Sequence, residues 1–352
     1  MRHAPIHILF TIPNFDTAGS QYVLQYLVTH LPSRYKAFIG VDRRLDLVPD
    51  CVPESQRVLI QKTGKLIPDA KTFSKQLKQL DIALIHSWDY RSELIEVLGA
   101  RMASVPYLYT KKNNGWNKRW LLKSLLTNAI AYDNPDMKTR FYKSIFFKGK
   151  CTFIPHGVNT EVFVPASQPK ANTPFYIGCV GQVNDNKNQM FLVKLLVDLP
   201  AYVKLKLYGK ADASYLQELL DLAKTLGVSD RVHYEQYVPN VSLPKAIQQL
   251  HVFILPSKQE GLPVAVLEAL ACGIPTLSAD SGGGARYIFR HKKGGAVFQL
   301  NEEKVVADWI MTCATDQNYY KKLQTEARNV ALTFKAKDEA NAYYNLYQTI
   351  IA

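Results

Sequence analysis

The apolar and polar positions alternate between two periods along the whole chain. Short apolar runs rich in β-branched and aromatic residues fall at 6–12, 37–41, 57–60, 82–86 and 107–110, and they predict strands. The same kind of run recurs at 176–180, 203–208, 232–234, 252–255, 276–279 and 296–300. Between the runs, apolar residues three and four positions apart predict helices. Val23, Leu24, Leu27, Val28 and Leu31 mark one over 21–31. Others are expected over 72–80, 93–103, 214–226, 243–250, 302–313, 319–334 and 337–351. Strand–helix alternation of this kind predicts parallel sheets covered on both faces. The stretch 163–174 holds three prolines and few apolar residues, so it reads as a linker. The expected division is 1–165, 166–335 and a terminal helix at 336–352.

Composition narrows this only a little. A chain of 352 residues has room for two domains, and 47% apolar with 21% charged residues is the composition of a globular protein. No apolar run approaches the ~20 residues of a membrane span, and 1–13 lacks the layout of a signal peptide. Five cysteines, scattered and odd in number, suggest a reducing compartment. No C-x-x-C or His/Cys cluster suggests a metal site. The net charge of +13 asks for an anionic partner: membrane, nucleic acid or anionic sugar nucleotides.

Candidate chemistry concentrates at 257–276, S-K-Q-E-G-L-P-V-A-V-L-E-A-L-A-C-G-I-P-T. It follows the predicted strand 252–255. Pro263 suits a first helical turn, where its missing N–H is no loss. Gly273 fits the position just past the helix, and Pro275 follows where a helix cannot continue. Glu260 is therefore expected on the loop at the strand's carboxyl end, and Glu268 on the helix. At 1.5 Å per residue the two carboxylates stand on the order of 10 Å apart. They cannot easily share a proton or a metal, but they can accept hydroxyl hydrogen bonds from two ends of one extended ligand. The helix N-terminus between them suits a phosphate, and ligands of open α/β sheets bind beyond the carboxyl ends of the strands. Two solvated acids on an ordinary loop and helix are the plainer alternative.

The segment E-G-L-P-V-A-V-L-E-A-L-A-C-G-I-P resembles the E-x7-E signature of retaining glycosyltransferases of the GT4 type, glycosyltransferase group 1. The resemblance implies an α/β GT-B fold, two Rossmann-like domains with parallel sheets facing across a cleft. The first domain would take the acceptor and the second the nucleotide-sugar donor, and the terminal helix would return to the first. Glu260 would face donor-sugar hydroxyls and Glu268 the ribose, with Gly261, Leu262 and Pro263 beside them. G-Q-V-N-D-N-K-N at 181–188 resembles the family's G-R-L-x-x-x-K-N loop. Gly181 and Lys187 match it, and Gln182 stands where the family usually has Arg. Lys187 would then neutralise the donor diphosphate, with Arg286 a candidate to replace the missing cation.

Further segments carry the same resemblance. D-S-G-G-G-A-R-Y-I at 280–288 is similar to the family's glycine loop, where Gly282, Gly283 and Gly284 would let main chain approach the diphosphate. Tyr287 stands there in place of a Glu. Gly19, in D-T-A-G-S-Q, resembles the glycine after the family's first strand, and C-T-F-I-P-H-G-V-N at 151–159 resembles the segment closing the first domain. His86 ends a predicted strand in I-A-L-I-H-S-W-D, where the family has one or two histidines near donor sugar and acceptor. With Trp88 two residues on, His86 is either the functional histidine or the structural one.

The activity so implied is transfer of a sugar, with retention, from a nucleotide diphosphate sugar to a hydroxyl of a glycan or lipid-linked glycan, as in cell-surface polysaccharide biosynthesis. Lys187, Glu260 and His86 form the expected catalytic set, with no metal, no cofactor and no nucleic acid, in the cytoplasm. A GT-B sugar-nucleotide epimerase and a non-catalytic sugar or nucleic-acid binder are the rivals. One stretch stands apart. Ten basic residues crowd 111–150, among them Lys118, Arg119, Lys123, Lys143 and Lys150, around Trp116, Trp120, Leu121, Leu122, Leu125 and Leu126. Pairs four apart predict a helix with an apolar face and basic flanks. Such a helix either packs on its own domain or lies on anionic lipid at the inner face of a membrane.

Overall fold

The computed structural model describes residues 4–15, 19–168 and 171–352. The chain forms two compact units: one runs to Pro155 and includes Lys337–Ala352, the other is His156–Ala336.

The first unit has strands β1 (Ile6–Thr11), β2 (Tyr35–Val41), β3 (Arg57–Leu59), β4 (Ile82–Ser87), β5 (Tyr107–Lys111), β6 (Ala129–Tyr132) and β7 (Cys151–Phe153). Its helices are α1 (Gly19–Thr29), α2 (Leu66–Gln79), α3 (Ile95–Ala103), α4 (Lys118–Leu126) and α5 (Asp136–Phe141). The seven strands make one sheet in the order β3-β2-β1-β4-β5-β6-β7, with every pairing parallel. Both faces are buried. Successive residues of β1 go to opposite sides: Ile8 and Phe10 join one apolar cluster and Leu9 the other.

The second unit has β8 (Phe175–Val180), β9 (Val203–Tyr208), β10 (Val232–Tyr234), β11 (Val252–Leu255), β12 (Thr276–Ala279) and β13 (Gly295–Phe298). Its helices are α6 (Met190–Leu195), α7 (Ala213–Thr225), α8 (Leu243–Ile247), α9 (Val264–Ala271), α10 (Gly284–Ile288), α11 (Glu303–Thr315) and α12 (Gln317–Ala331). The six strands form a second parallel sheet, β10-β9-β8-β11-β12-β13. The order reverses between β8 and β11, which makes the gap beyond their carboxyl ends the topological switch point. Every residue of β11 is buried, as are Val266, Leu267, Ala269, Leu270 and Ala271 of α9.

The terminal helix α13 (Ala336–Ile351) belongs almost wholly to the first unit, where Tyr343 and Tyr347 enter the core with Ile8 and Phe10. The expected boundary after residue 165 falls inside the second unit. The reason is local: Val158 donates to Phe334 O at 2.8 Å and accepts from Ala336 N at 3.0 Å, and Phe163 is buried in the second core. Helix α2 starts six residues earlier than the expected 72, because the Asp69 carboxylate takes the amides of Thr63 and Gly64 at 3.0 Å each. Helix α6 and strands β6 and β7 were not expected.

Candidate functional site

The loop after β8 and the loop after β11 meet at the switch point of the second unit. Lys187 Nζ lies 2.5 Å from Glu260 Oε1, and both side chains are largely buried. Three asparagines of the first loop hold it there. Asn184 Oδ1 accepts from Lys187 N at 3.0 Å. Asn186 donates to Gln259 O at 3.2 Å and its carbonyl accepts from Lys258 N at 2.8 Å. Asn188, at a left-handed φ of 55°, donates to Pro256 O at 3.3 Å. Lys258 adds an ion pair to Asp185 at 2.5 Å.

The glycine loop after β12 is pressed against the same place. Glu260 N donates to Ser281 O at 2.9 Å. A Cβ on Gly284 would sit 1.9 Å from Gly261 O, so only glycine allows the two backbones this contact. Gly282 and Gly283 have φ of 126° and 100°. Arg286 Nη1 donates to Asp280 at 2.6 Å, so the candidate substitute cation is ion-paired within its own loop. Gly181, at φ 144°, faces the Lys187 stem, and the carbonyl of Gln182 accepts from Gln189 at 3.0 Å.

Helix α9 carries Glu268. Pro263 is its N-cap residue rather than its first helical one, and Leu262 beside it is buried. Gly273 closes the helix at φ 69°, with Gly273 N donating to Leu270 O at 2.9 Å and Ile274 N to Ala269 O at 3.0 Å. Glu268 is buried, and among the described residues its carboxylate has no hydrogen-bond or ion-pair partner. Burial pushes its pKa up to about 7. The Ser257 hydroxyl, at the start of the Glu260 loop, is likewise buried without a partner. Ser257 and Glu268 thus leave polar atoms on the two sides of the Glu260 loop that a polar ligand can pair with.

Two expected residues lie elsewhere. His86, expected at an open strand end, is wholly buried in the first unit. Its Nδ1 lies 2.6 Å from Tyr347 Oη and 3.3 Å from Trp88 Nε1, and its Nε2 lies 2.8 Å from Thr110 Oγ1. An indole N–H only donates, so Nδ1 accepts and Nε2 carries the proton. Burial, and secondarily Lys112, hold its pKa well below the usual value and keep it neutral. It is a packed core residue, enclosed by a helix from the far end of the chain. Gly19 opens α1 as an exposed residue, and the Asp16 to Ala18 part of its loop lies outside the described residues.

An ion-pair network at the carboxyl ends of β2, β3 and β4 has no signature in the amino-acid pattern. Lys62 pairs with Asp42 at 2.8 Å and Glu93 at 2.7 Å. Arg91 pairs with Asp89 at 2.6 Å, with Glu93 at 3.2 Å and with Asp42. Carboxylate oxygens of Asp42, Asp89 and Glu93 lie within 4.8 Å of one another, and each is ion-paired to Lys62, Arg91 or both. A pocket of about 290 Å³ opens beside the network, lined by Lys62, Glu93, Leu66 and Arg119 among others.

The second unit is thus a doubly wound α/β domain whose switch-point loops join an ammonium, a carboxylate and a glycine turn. Residues 163–330 match the family described as glycosyl transferases group 1. A GDP-mannose-dependent alpha-(1-6)-phosphatidylinositol monomannoside mannosyltransferase of Mycolicibacterium smegmatis is 24% identical over 274 residues, 68% of this chain and 70% of that one. Its namesake in Mycobacterium tuberculosis CDC 1551 is 26% identical over 226 residues, 58% of each chain. A crystal structure of Anabaena HepE in complex with UDP superposes with a TM-score of 0.85 at 17% identity, covering 98% of this chain and all of that one. The fold is GT-B, built of two Rossmann-like parallel-sheet units.

Proposed function

We propose that this protein moves a sugar from a nucleotide diphosphate sugar to a hydroxyl of a glycan or lipid-linked glycan, with retention at the anomeric carbon. The observation that carries the reading is the meeting of Lys187, Glu260 and the Gly282–Gly284 turn at the switch point. An ammonium beside close-packed glycine backbone suits a diphosphate, and a carboxylate next to it suits the hydroxyls of the attached sugar. Glu268, buried and unpartnered, takes the ribose hydroxyls. The names of the relatives support the donor class, GDP-mannose for the mannosyltransferases, and so does UDP in the HepE structure.

No side chain acts as nucleophile. The bond from the anomeric carbon to the diphosphate oxygen breaks, and a bond to the acceptor oxygen forms on the same face. The acceptor's proton passes to the departing diphosphate, whose charge Lys187 stabilises. Lysine and backbone dipoles carry that charge, so no metal is required. A lipid-linked acceptor would put the protein at the inner face of a membrane as a peripheral protein. Among the described residues no helix is long and apolar enough to cross one.

A thermal-shift screen across nucleotide sugars tests the reading, because a ligand of the folded state raises its melting temperature. One uridine or guanosine diphosphate sugar is expected to stabilise the protein, and Glu268→Ala to abolish the effect. Stabilisation by none, or by one whose effect survives that substitution, would overturn it. Consumption of the donor without any acceptor would favour an epimerase. The anomeric configuration of the product, read by NMR, decides retention.

A further inference from the structure

Helix α4 is inverted relative to an ordinary packed helix. It buries Trp120, Lys123 and Ser124, while Leu121, Leu122 and Leu125 are 41%, 44% and 38% exposed. Lys123 points inward, donating to Arg91 O at 3.3 Å near the rings of Trp120 and Tyr109. The turn at Ile145–Phe147 continues this surface: Ile145 and Phe146 are 74% and 69% exposed, while Phe147 anchors the turn in the core. Lys150, just past the turn, donates to Leu125 O at 3.2 Å, which fixes turn and helix end side by side. Five large apolar side chains are thus exposed at one end of the first unit, Ile145 and Phe146 largely and the three leucines by about two fifths.

Charge says what covers them. Stretch 111–150 holds ten basic and two acidic residues, a net +8 (10 − 2) of the chain's +13. Lys118, Arg119, Lys138, Arg140, Lys143 and Lys148 are exposed, whereas Asp133 is buried. Lys118 lies one turn from Leu121 and Leu122, so cation and apolar chain share a face. A second copy of the chain would set like charges against each other. An anionic bilayer answers both features: its lipid phosphates take the cations and its acyl boundary takes the leucines and phenylalanine.

We propose that α4 and the 145–146 turn form a monotopic docking face for an anionic lipid bilayer. Arg119 belongs both to this helix and to the lining of the pocket beside Lys62 and Glu93, so docking brings that pocket to the bilayer surface. The proposal goes beyond the transferase reading and stands or falls without it.

The test is co-sedimentation of the full chain with vesicles of phosphatidylcholine alone and of phosphatidylcholine with phosphatidylglycerol. Wild type is expected to pellet with the mixed vesicles, to stay in solution with the neutral ones, and to be released by high salt. Ile145→Asn/Phe146→Asn, which disturbs no core contact, is expected to lower vesicle binding at least about tenfold. Lys143→Glu/Lys148→Glu is expected to abolish the preference for anionic vesicles. Equal binding to both vesicle types, or full binding by the Ile145/Phe146 variant, would overturn the proposal. So would a dimer by sedimentation equilibrium that the same variant dissolves, since the face would then be an interface between copies. Melting temperatures with a stabilising nucleotide sugar, measured on the same variants, keep the two readings apart: they should match wild type whatever the vesicles show.

Discussion

Lys187 and Glu260 stand 73 residues apart in the chain, yet their charged groups meet at 2.5 Å between neighbouring strands. A largely buried pair contributes little net stability, because the cost of taking both charges out of water offsets their attraction. Its residues are better explained by what they hold apart from each other: a diphosphate for the lysine, hydroxyls for the carboxylate. Lys187→Met keeps the stem against Gly181 and removes the charge. The expected outcome is a fall in kcat/KM of about 10²–10³-fold, as for loss of one charge-stabilising donor. Steady-state kinetics with the preferred donor and a melting curve check it together. A large loss of melting temperature with kinetics unchanged would make the pair a structural tie.

Glu268 makes folding depend on pH in a direction that can be worked out. Its pKa in the fold is about 7, above the ordinary value of 4.5, because burial disfavours the charge. Between those values the folded state binds the extra proton, so stability falls as pH rises from about 4.5 to 7. Above 7 the full penalty applies, about 3 kcal/mol. Glu268→Gln is therefore expected to raise stability to denaturant at pH 8 and to change it little at pH 4.5. If the ionised carboxylate takes the ribose hydroxyls, donor binding releases a proton. Wild-type affinity for the donor should then tighten as pH rises through 7. Calorimetry in buffers of different ionisation enthalpy measures that release; a donor bound with no proton change would separate Glu268 from the ligand.

Most strands could be read from the chain because a parallel strand buried on both faces is a continuous apolar run, as Val252–Leu255 is. β7, three residues long and only partly buried, leaves no such run. The site was visible where backbone geometry demands a residue type: Gly284 against Gly261, and Gly273 at the end of α9. It was invisible where loops are tied by side-chain amides, since Asn184, Asn186 and Asn188 have no periodicity to betray them. The network of Asp42, Lys62, Asp89, Arg91 and Glu93 draws on three separate segments, and only folding brings these together. Helix α4 shows the limit of amphipathic reasoning. Its four-residue spacing was correct, yet the face that went inside was the one bearing Lys123.

The contact of Gly284 with Gly261 makes a sharp steric prediction. Gly284→Ala would place a methyl group 1.9 Å from a carbonyl oxygen, and backbone on both loops must move. Overpacking of this kind costs about 1–3 kcal/mol or more. Gly227→Ala is the control: its φ of 67° is strained for alanine, but nothing lies within 4 Å of the added group. That variant should lose only about 1 kcal/mol. Thermal melting with and without donor distinguishes them. Gly227→Ala should keep the donor-induced shift and Gly284→Ala should lose it, because the displaced loop carries Glu260.

The bond between His86 and Tyr347 predicts a structural role for a histidine that sits where a catalytic one was expected. Tyr347→Phe removes one hydroxyl, leaves Trp88 donating to Nδ1, and should cost about 1–2 kcal/mol with kcat/KM unchanged. pH sharpens the test. His86 stays neutral in the fold with its pKa far below 6.5, whereas the unfolded chain takes up a proton near that value. Below pH 6.5 the unfolded state holds the extra proton, so this residue's contribution to stability falls as pH drops, by up to about 1.4 kcal/mol per pH unit. It is fully present above 6.5. His86→Asn removes the titration, so the stability gap between wild type and His86→Asn should be widest at pH 8 and shrink steadily toward pH 5. Denaturant unfolding at several pH values measures the gap. A constant gap, or a drop in kcat at temperatures where the variant remains folded, would return His86 to the chemistry.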